Sequence, residues 1–125
     1  MNGIGKTILL VDDDRQILES LKVILESEGY AVETAESGEE AVTKNKSNVF
    51  DAAFLDIRLP GMQGTELLAA LHKESPRMVK IMMTGFPSLD NAVASLKLGA
   101  DAYIMKPIDP EKLLDLVKKK IREKR

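Results

Sequence analysis

Three consecutive acids, Asp12-Asp13-Asp14, directly follow the apolar run Ile8-Leu9-Leu10-Val11. Carboxylates this close repel one another and lose hydration, and a bound hard cation such as Mg²⁺ would offset that cost. Helix capping competes with this reading, because Asp caps well and acids suit a first turn. On the triplet alone both stay open. Similar groups recur after other apolar runs: Asp56 after Ala52-Ala53-Phe54-Leu55, Thr84-Gly85 after the run 79–83, and Lys106 after the run 102–105. A carboxylate can act as a nucleophile toward a phosphoryl group and give an acyl phosphate. A metal, a hydroxyl and an ammonium can stabilise the negative charge in transfer. Asp56 stands alone and is the nucleophile candidate; Asp12 and Asp13 are the metal pair.

These groups need a scaffold that brings strand ends together. Strand patterns fall at 7–11, 30–35, 50–56, 79–83 and 102–105, and amphipathic helical stripes lie between them. Residues 15–28 carry Ile17, Leu18, Leu21, Ile24 and Leu25, and Gly29 stops that helix. Ser37 and Glu40 form a capping box for a short helix ending near Lys46. Leu59 to Gly64 must be a loop, and Leu67, Leu68 and Leu71 line the helix after it, which Ser75-Pro76 ends. Phe86-Pro87-Ser88 is loop, and a helix from Leu89 to Leu98 has Ala92, Val93 and Leu96 as its inner stripe. Asp109-Pro110 opens the last helix, which buries Leu113, Leu114, Val117 and Ile121. Strand and helix alternate five times, so the strands are parallel and the sheet doubly wound. The carboxyl ends then share one rim, where open α/β sheets place their sites.

A chain of 125 residues with 44% apolar and 30% charged residues fits one domain with a real core. The absence of cysteine excludes disulfides and thiolate metal sites. No apolar stretch is long enough to span a bilayer and no signal-peptide core is present, so a cytoplasmic protein is expected. Residues 118–125 (KKKIREKR) hold six of the 18 basic residues and one of the 20 acids. The favoured reading is a solvated helix end whose cations suit the dipole. Residues 1–6 read as a frayed start. His72, the only histidine, reads as a surface residue, and Met82, Met83 and Met105 as core filling.

Leu10-Val11-Asp12-Asp13, Leu55-Asp56, Pro60-Gly61-Met62-Gln63-Gly64, Met83-Thr84-Gly85 and the stretch from Gly99 to Pro107 together resemble the receiver domain of two-component response regulators. The resemblance covers residues 6–120 or so and implies a three-layer (βα)5 sandwich of flavodoxin-like strand order 2-1-3-4-5. It implies Asp56 as phospho-acceptor, with Asp13 on Mg²⁺ directly, Asp12 partly through water, and the Arg58 backbone carbonyl as a further ligand. Thr84 would contact the phosphoryl group and Lys106 would pair with it, through a cis or strained link to Pro107. Tyr103 matches the aromatic switch position, and Asp14 is secondary. Implied partners are a sensor histidine kinase or phosphotransfer protein, and a second copy through the face of helix 4, strand 5 and helix 5. Nucleic acid would be met only through an effector domain outside this chain. Arg58 and Phe86 occupy positions that tune phosphoryl loss, and their bulk favours a phospho-form that outlasts seconds.

Two rivals come from other classes. A haloacid-dehalogenase-type phosphatase also uses a strand-end Asp and Mg²⁺, but needs a second Asp where Arg58 stands. A flavodoxin-like binding module would carry Ser, Thr or Gly after its first strand, where three acids would repel phosphate.

Overall fold

The structure, a computed structural model, describes residues 3–59, 61–85 and 94–124. In chain order the elements are β1 (Thr7–Val11), α1 (Arg15–Ser27), β2 (Ala31–Ala35), α2 (Gly38–Ser47), β3 (Ala52–Asp56), α3 (Gly64–Glu74), β4 (Val79–Thr84), α4 (described over 94–97), β5 (Ala102–Met105) and α5 (Pro110–Glu123). All strand pairs are parallel and the order is β2-β1-β3-β4-β5, as expected.

Strand periodicity builds the two cores. Ile8 and Leu10 of β1 point to one face with Phe54, Ile81 and Met83, where Leu18, Leu21 and Leu25 of α1 and Leu113 and Val117 of α5 cover them. Leu9 and Val11 point to the other face with Ala53, Leu55 and Met82, under Ala41 of α2 and Leu67, Leu68 and Leu71 of α3. Central strands are therefore apolar on both faces, and polar groups collect at the strand ends. Local signals set the helix limits. Asp14, Ser37 and Asp109 cap α1, α2 and α5, with Pro110 at the first turn of α5. Gly29 and Gly99 adopt φ of +98° and +107° after α1 and α4.

Several expectations need correction. The chain is docked from Gly3, whose N–H donates to the Glu28 carbonyl at 2.9 Å. A Cβ at Gly3 would sit 2.6 Å from the Tyr30 ring. Burial of this ring cover outweighs the polar composition that suggested fraying. Leu96 is 61% exposed, while Ser95 is fully buried; the short apolar pattern around α4 did not fix which side faces the sheet. Met105 is also largely exposed, unlike Met82 and Met83, because β5 is an edge strand. His72 is half-buried, its ring packed so close to Gly99 that a Cβ there would lie 2.5 Å from the ring. Leu114 and Ile121 are only partly buried. Pro60, the expected loop 86–88 with Phe86, and the first part of the helix expected from Leu89, with Ala92 and Val93, lie outside the described residues.

Lys80 carried no signal in the sequence, yet it is fully buried in β4. Its Nζ donates to the Ser75 and Met78 carbonyls at 3.0 and 2.7 Å, and its amide donates to Asp101 Oδ2 at 2.9 Å. Burial, with Lys124 nearby, pushes its ammonium down to about 8 against the pull of Asp101. Between pH 8 and 10.5 the unfolded chain therefore holds a proton that the folded chain has released, so this group makes stability rise with pH there. Thermal unfolding across that window should show the rise in the natural protein and not in Lys80→Met; parallel profiles would contradict it.

Candidate functional site

The acidic triplet divides by geometry. Asp12 continues β1 through its N–H to the Ala35 carbonyl (3.1 Å) and is fully buried. Its Oδ1 accepts from the Asp14 N–H at 2.9 Å, and its Oδ2 accepts from Lys106 Nζ at 2.8 Å. Asp13 is exposed. Asp14 is the α1 cap, accepting from the Gln16 and Ile17 N–H groups at 2.9 and 3.4 Å. Capping and metal binding are thus not alternatives: the third acid caps, and the first two remain for the rim.

Asp56 ends β3 and is 6% exposed. The ladder continues past it, with the Ile57 N–H donating to the Met83 carbonyl at 3.0 Å. Its Oδ1 accepts from the Arg58 N–H at 3.3 Å and lies 3.4 Å from Lys106 Nζ. One carboxylate oxygen each from Asp12, Asp13 and Asp56 fall within 4.8 Å of one another. Three hard oxygen donors, one of them open to solvent, fit Mg²⁺ with waters completing its shell. The Arg58 side chain is exposed and its carbonyl lies on the loop leaving Asp56.

Lys106 arrives from the far end of the chain. Thr84 pairs with Met105 in the β4–β5 register, and the next N–H, that of Lys106, donates to the Thr84 carbonyl at 2.7 Å. This holds the lysine over the rim, before a cis Lys106–Pro107 bond. Thr84 is buried at the end of β4. Tyr103, one strand over and opposite Met82, is half-buried against the α2/α3 core with its hydroxyl enclosed.

The electrostatics follow from three acids around one ammonium. Burial and the Asp12 charge raise the Asp56 carboxyl above the usual range, opposed by Lys106 and the Arg58 N–H. Burial alone would lower the Lys106 ammonium, but the hydrogen bond and charge of Asp12, with those of Asp56, outweigh it and raise it. The rim therefore carries excess negative charge that a divalent cation would neutralise. Sequence reasoning placed all five rim groups. It missed the Asp12–Asp14 hydrogen bond, and the close packing at Gly38 and Gly64 described below, which no residue type announces. No described helix is long and apolar enough to cross a membrane.

The strand order and this acid–lysine rim define a CheY-like doubly wound protein. The chain belongs to the response regulator receiver domain family, whose model matches residues 8–118. The alginate biosynthesis transcriptional regulatory protein AlgB of Pseudomonas putida is 41% identical over 106 residues, covering 85% of this chain and 24% of that protein. The chain thus spans about a quarter of the length of the curated relatives it matches first. A CheY-like receiver domain protein of Methanospirillum hungatei is 54% identical with a TM-score of 0.93, each chain covered to 95%. The beryllofluoride-activated NtrC4 receiver domain dimer is 35% identical with a TM-score of 0.91, both chains covered to 100%.

Two substitutions separate the charges. Ionising Asp56 opposes folding, because its folded value is raised: the stability it contributes at low pH is lost as pH rises through that value. Without divalent metal, Asp56→Asn should unfold at a higher temperature than the natural protein at pH 7, and the difference should vanish in acid. Lys106→Ala strands the buried Asp12 carboxylate and should cost roughly 2 kcal/mol in urea unfolding. A less stable Asp56→Asn would contradict the repulsion argument.

Proposed function

We propose that this chain is a single phosphoacceptor receiver domain over residues 1–125, in which Asp56 takes a phosphoryl group from a phosphohistidine of a sensor kinase or phosphotransfer protein. The observation that carries this is Lys106 Nζ lying between Asp12 Oδ2 (2.8 Å) and Asp56 Oδ1 (3.4 Å), beside an acidic cluster open through Asp13. An Asp56 oxygen attacks phosphorus, a P–O bond forms, the P–N bond to the donor imidazole breaks, and the imidazole leaves with that electron pair. Asp12, Asp13, Asp56 and the Arg58 carbonyl would hold Mg²⁺, which supplies positive charge for the phosphoryl oxygens. Lys106 is already placed to exchange part of its contact with the carboxylates for a phosphoryl oxygen. Thr84, at the adjacent strand end, contacts another.

Phosphorylation then biases a two-state surface. Thr84 and Lys106 move toward the new charge, Tyr103 follows, and the face of α4, β5 and α5 changes. That face would pair with a second copy or an output module; the NtrC4 receiver dimer is a relative in which receivers associate. The protein assists its own phosphoryl transfer and loss without turnover of a separate substrate, in a cytoplasmic setting. A dehalogenase-type phosphatase reading lacks support, since Arg58 stands where the second acid is needed. The extended phospho-lifetime rests on Arg58 alone among the described residues, because Phe86 lies outside them.

Intact mass after incubation with acetyl phosphate and Mg²⁺ tests the reading. One added phosphoryl group is expected, absent with EDTA and absent in Asp56→Asn. A folded protein that gains no mass from acetyl phosphate or from a phosphohistidine donor would refute it.

A further inference from the structure

The loop that leaves Asp56 returns almost to its origin. The Gly64 N–H donates to the Ile57 carbonyl at 2.9 Å. A Cβ at Gly64 would lie 2.4 Å from the Asp56 carbonyl oxygen and 2.5 Å from Ile57 Cα. Backbone therefore meets backbone at the base of the loop, and only glycine fits. Ile57 and Leu59 bury their side chains below the first limb. The far side has a different anchor. After Gly61, at φ +75°, the Met62 side chain lies across Gly38, the first residue of α2. A Cβ at Gly38 would sit 2.6 Å from Met62 Sδ, 3.1 Å from its Cβ and 3.2 Å from its Cγ. The α2 start is itself fixed: Ser37 Oγ accepts from the Glu40 N–H at 3.1 Å, and Glu40 Oε1 accepts from the Glu36 N–H at 2.7 Å.

We propose that Met62, seated on Gly38, is a positioning residue for the cation: this contact sets the height of residues 61–64 and, through the Gly64 N–H on the Ile57 carbonyl, that of the neighbouring Arg58 carbonyl relative to Asp12, Asp13 and Asp56. The inference rests on the Mg²⁺ reading above. With no side chain at Gly38 the flexible Met62 thioether can lie directly against the start of α2. The first turn of α2 thereby acts on cation affinity, although none of its side chains belongs to the acidic cluster.

Calorimetric titration of the full, unphosphorylated chain with Mg²⁺ tests this without any reading of phosphorylation. Met62→Ala removes the anchor and Gly38→Ala lifts it; each should weaken Mg²⁺ binding roughly tenfold, the low end for groups that orient metal ligands. Met62→Leu should restore most of the affinity. In the double variant, Gly38→Ala should add nothing to Met62→Ala, since there is no longer a side chain to displace. Without metal, Gly38→Ala should lower the unfolding temperature through its clash with Met62 and should not lower it further in the Met62→Ala background; Mg²⁺ affinity is therefore read well below the unfolding temperature of each variant, where a loss in the folded single variants separates positioning from general damage. Natural-like affinity in both single variants, or additive losses in the double, would overturn the proposal while leaving the metal reading intact. Failure of the natural protein to bind Mg²⁺, or indifference to Asp13→Asn, would overturn both.

Discussion

One half-buried ammonium holds the rim together. Asp12 is fully enclosed, and a carboxylate in that position is tolerable only with a partner. The partner, Lys106, lies 94 residues away in the chain. In the sheet, β3 and β4 stand between β1 and β5, so the chain after β5 must lean across two strand ends to reach Asp12. The Lys106 N–H bond to the Thr84 carbonyl gives it that lean. The same Nζ reaches Asp56 at 3.4 Å, so the first, third and fifth strands converge on one charge. Any new negative group at Asp56 competes directly for it.

The packing of the two cores makes this possible and also limits it. Alternate strand residues enter two separate apolar layers, leaving the strands rigid and the rim polar. Because the strands cannot slide without turning apolar side chains to the wrong layer, the rim groups keep their register. Repulsion between Asp12 and Asp56 is a local conflict that this scaffold absorbs, as functional sites commonly require. The opposite end of β4 holds a fully buried cation, Lys80, satisfied by backbone carbonyls and so tied to folding instead of to the rim.

The helices divide between scaffold and adjustment. Caps at Asp14, Ser37 and Asp109 fix where α1, α2 and α5 begin, and the first of these sits within one hydrogen bond of the acidic cluster through the Asp14 N–H. Two glycines, at 38 and 64, bring α2 and α3 against the loop beyond Asp56 more closely than any other residue allows. Helix starts thereby become part of the site without contributing side chains to it.

How much of this was legible beforehand depends on range. Periods of two and of 3.6, cap residues and breakers are local, so the strand–helix alternation, the limits of the elements described from end to end to within a few residues, and the gathering of Asp12, Asp13, Asp56, Thr84 and Lys106 on one rim could be read from the chain. Three things could not. The division of the triplet into a buried acid, an open one and a cap depends on where α1 starts relative to the end of β1. The burial of Lys80 and the exposure of Leu96 and Met105 run against residue type: a pair of backbone acceptors satisfies Lys80, β5 is an edge strand at Met105, and at Leu96 the side of α4 that faces the sheet decides. Contacts such as Met62 on Gly38 join elements distant in sequence through the absence of a side chain. The sequence by itself determined which groups reach the rim, since strand polarity is a local matter; only the tertiary structure decided which charges are shared and how tightly the loop beside Asp56 is held, since those depend on distances between elements that no local pattern encodes.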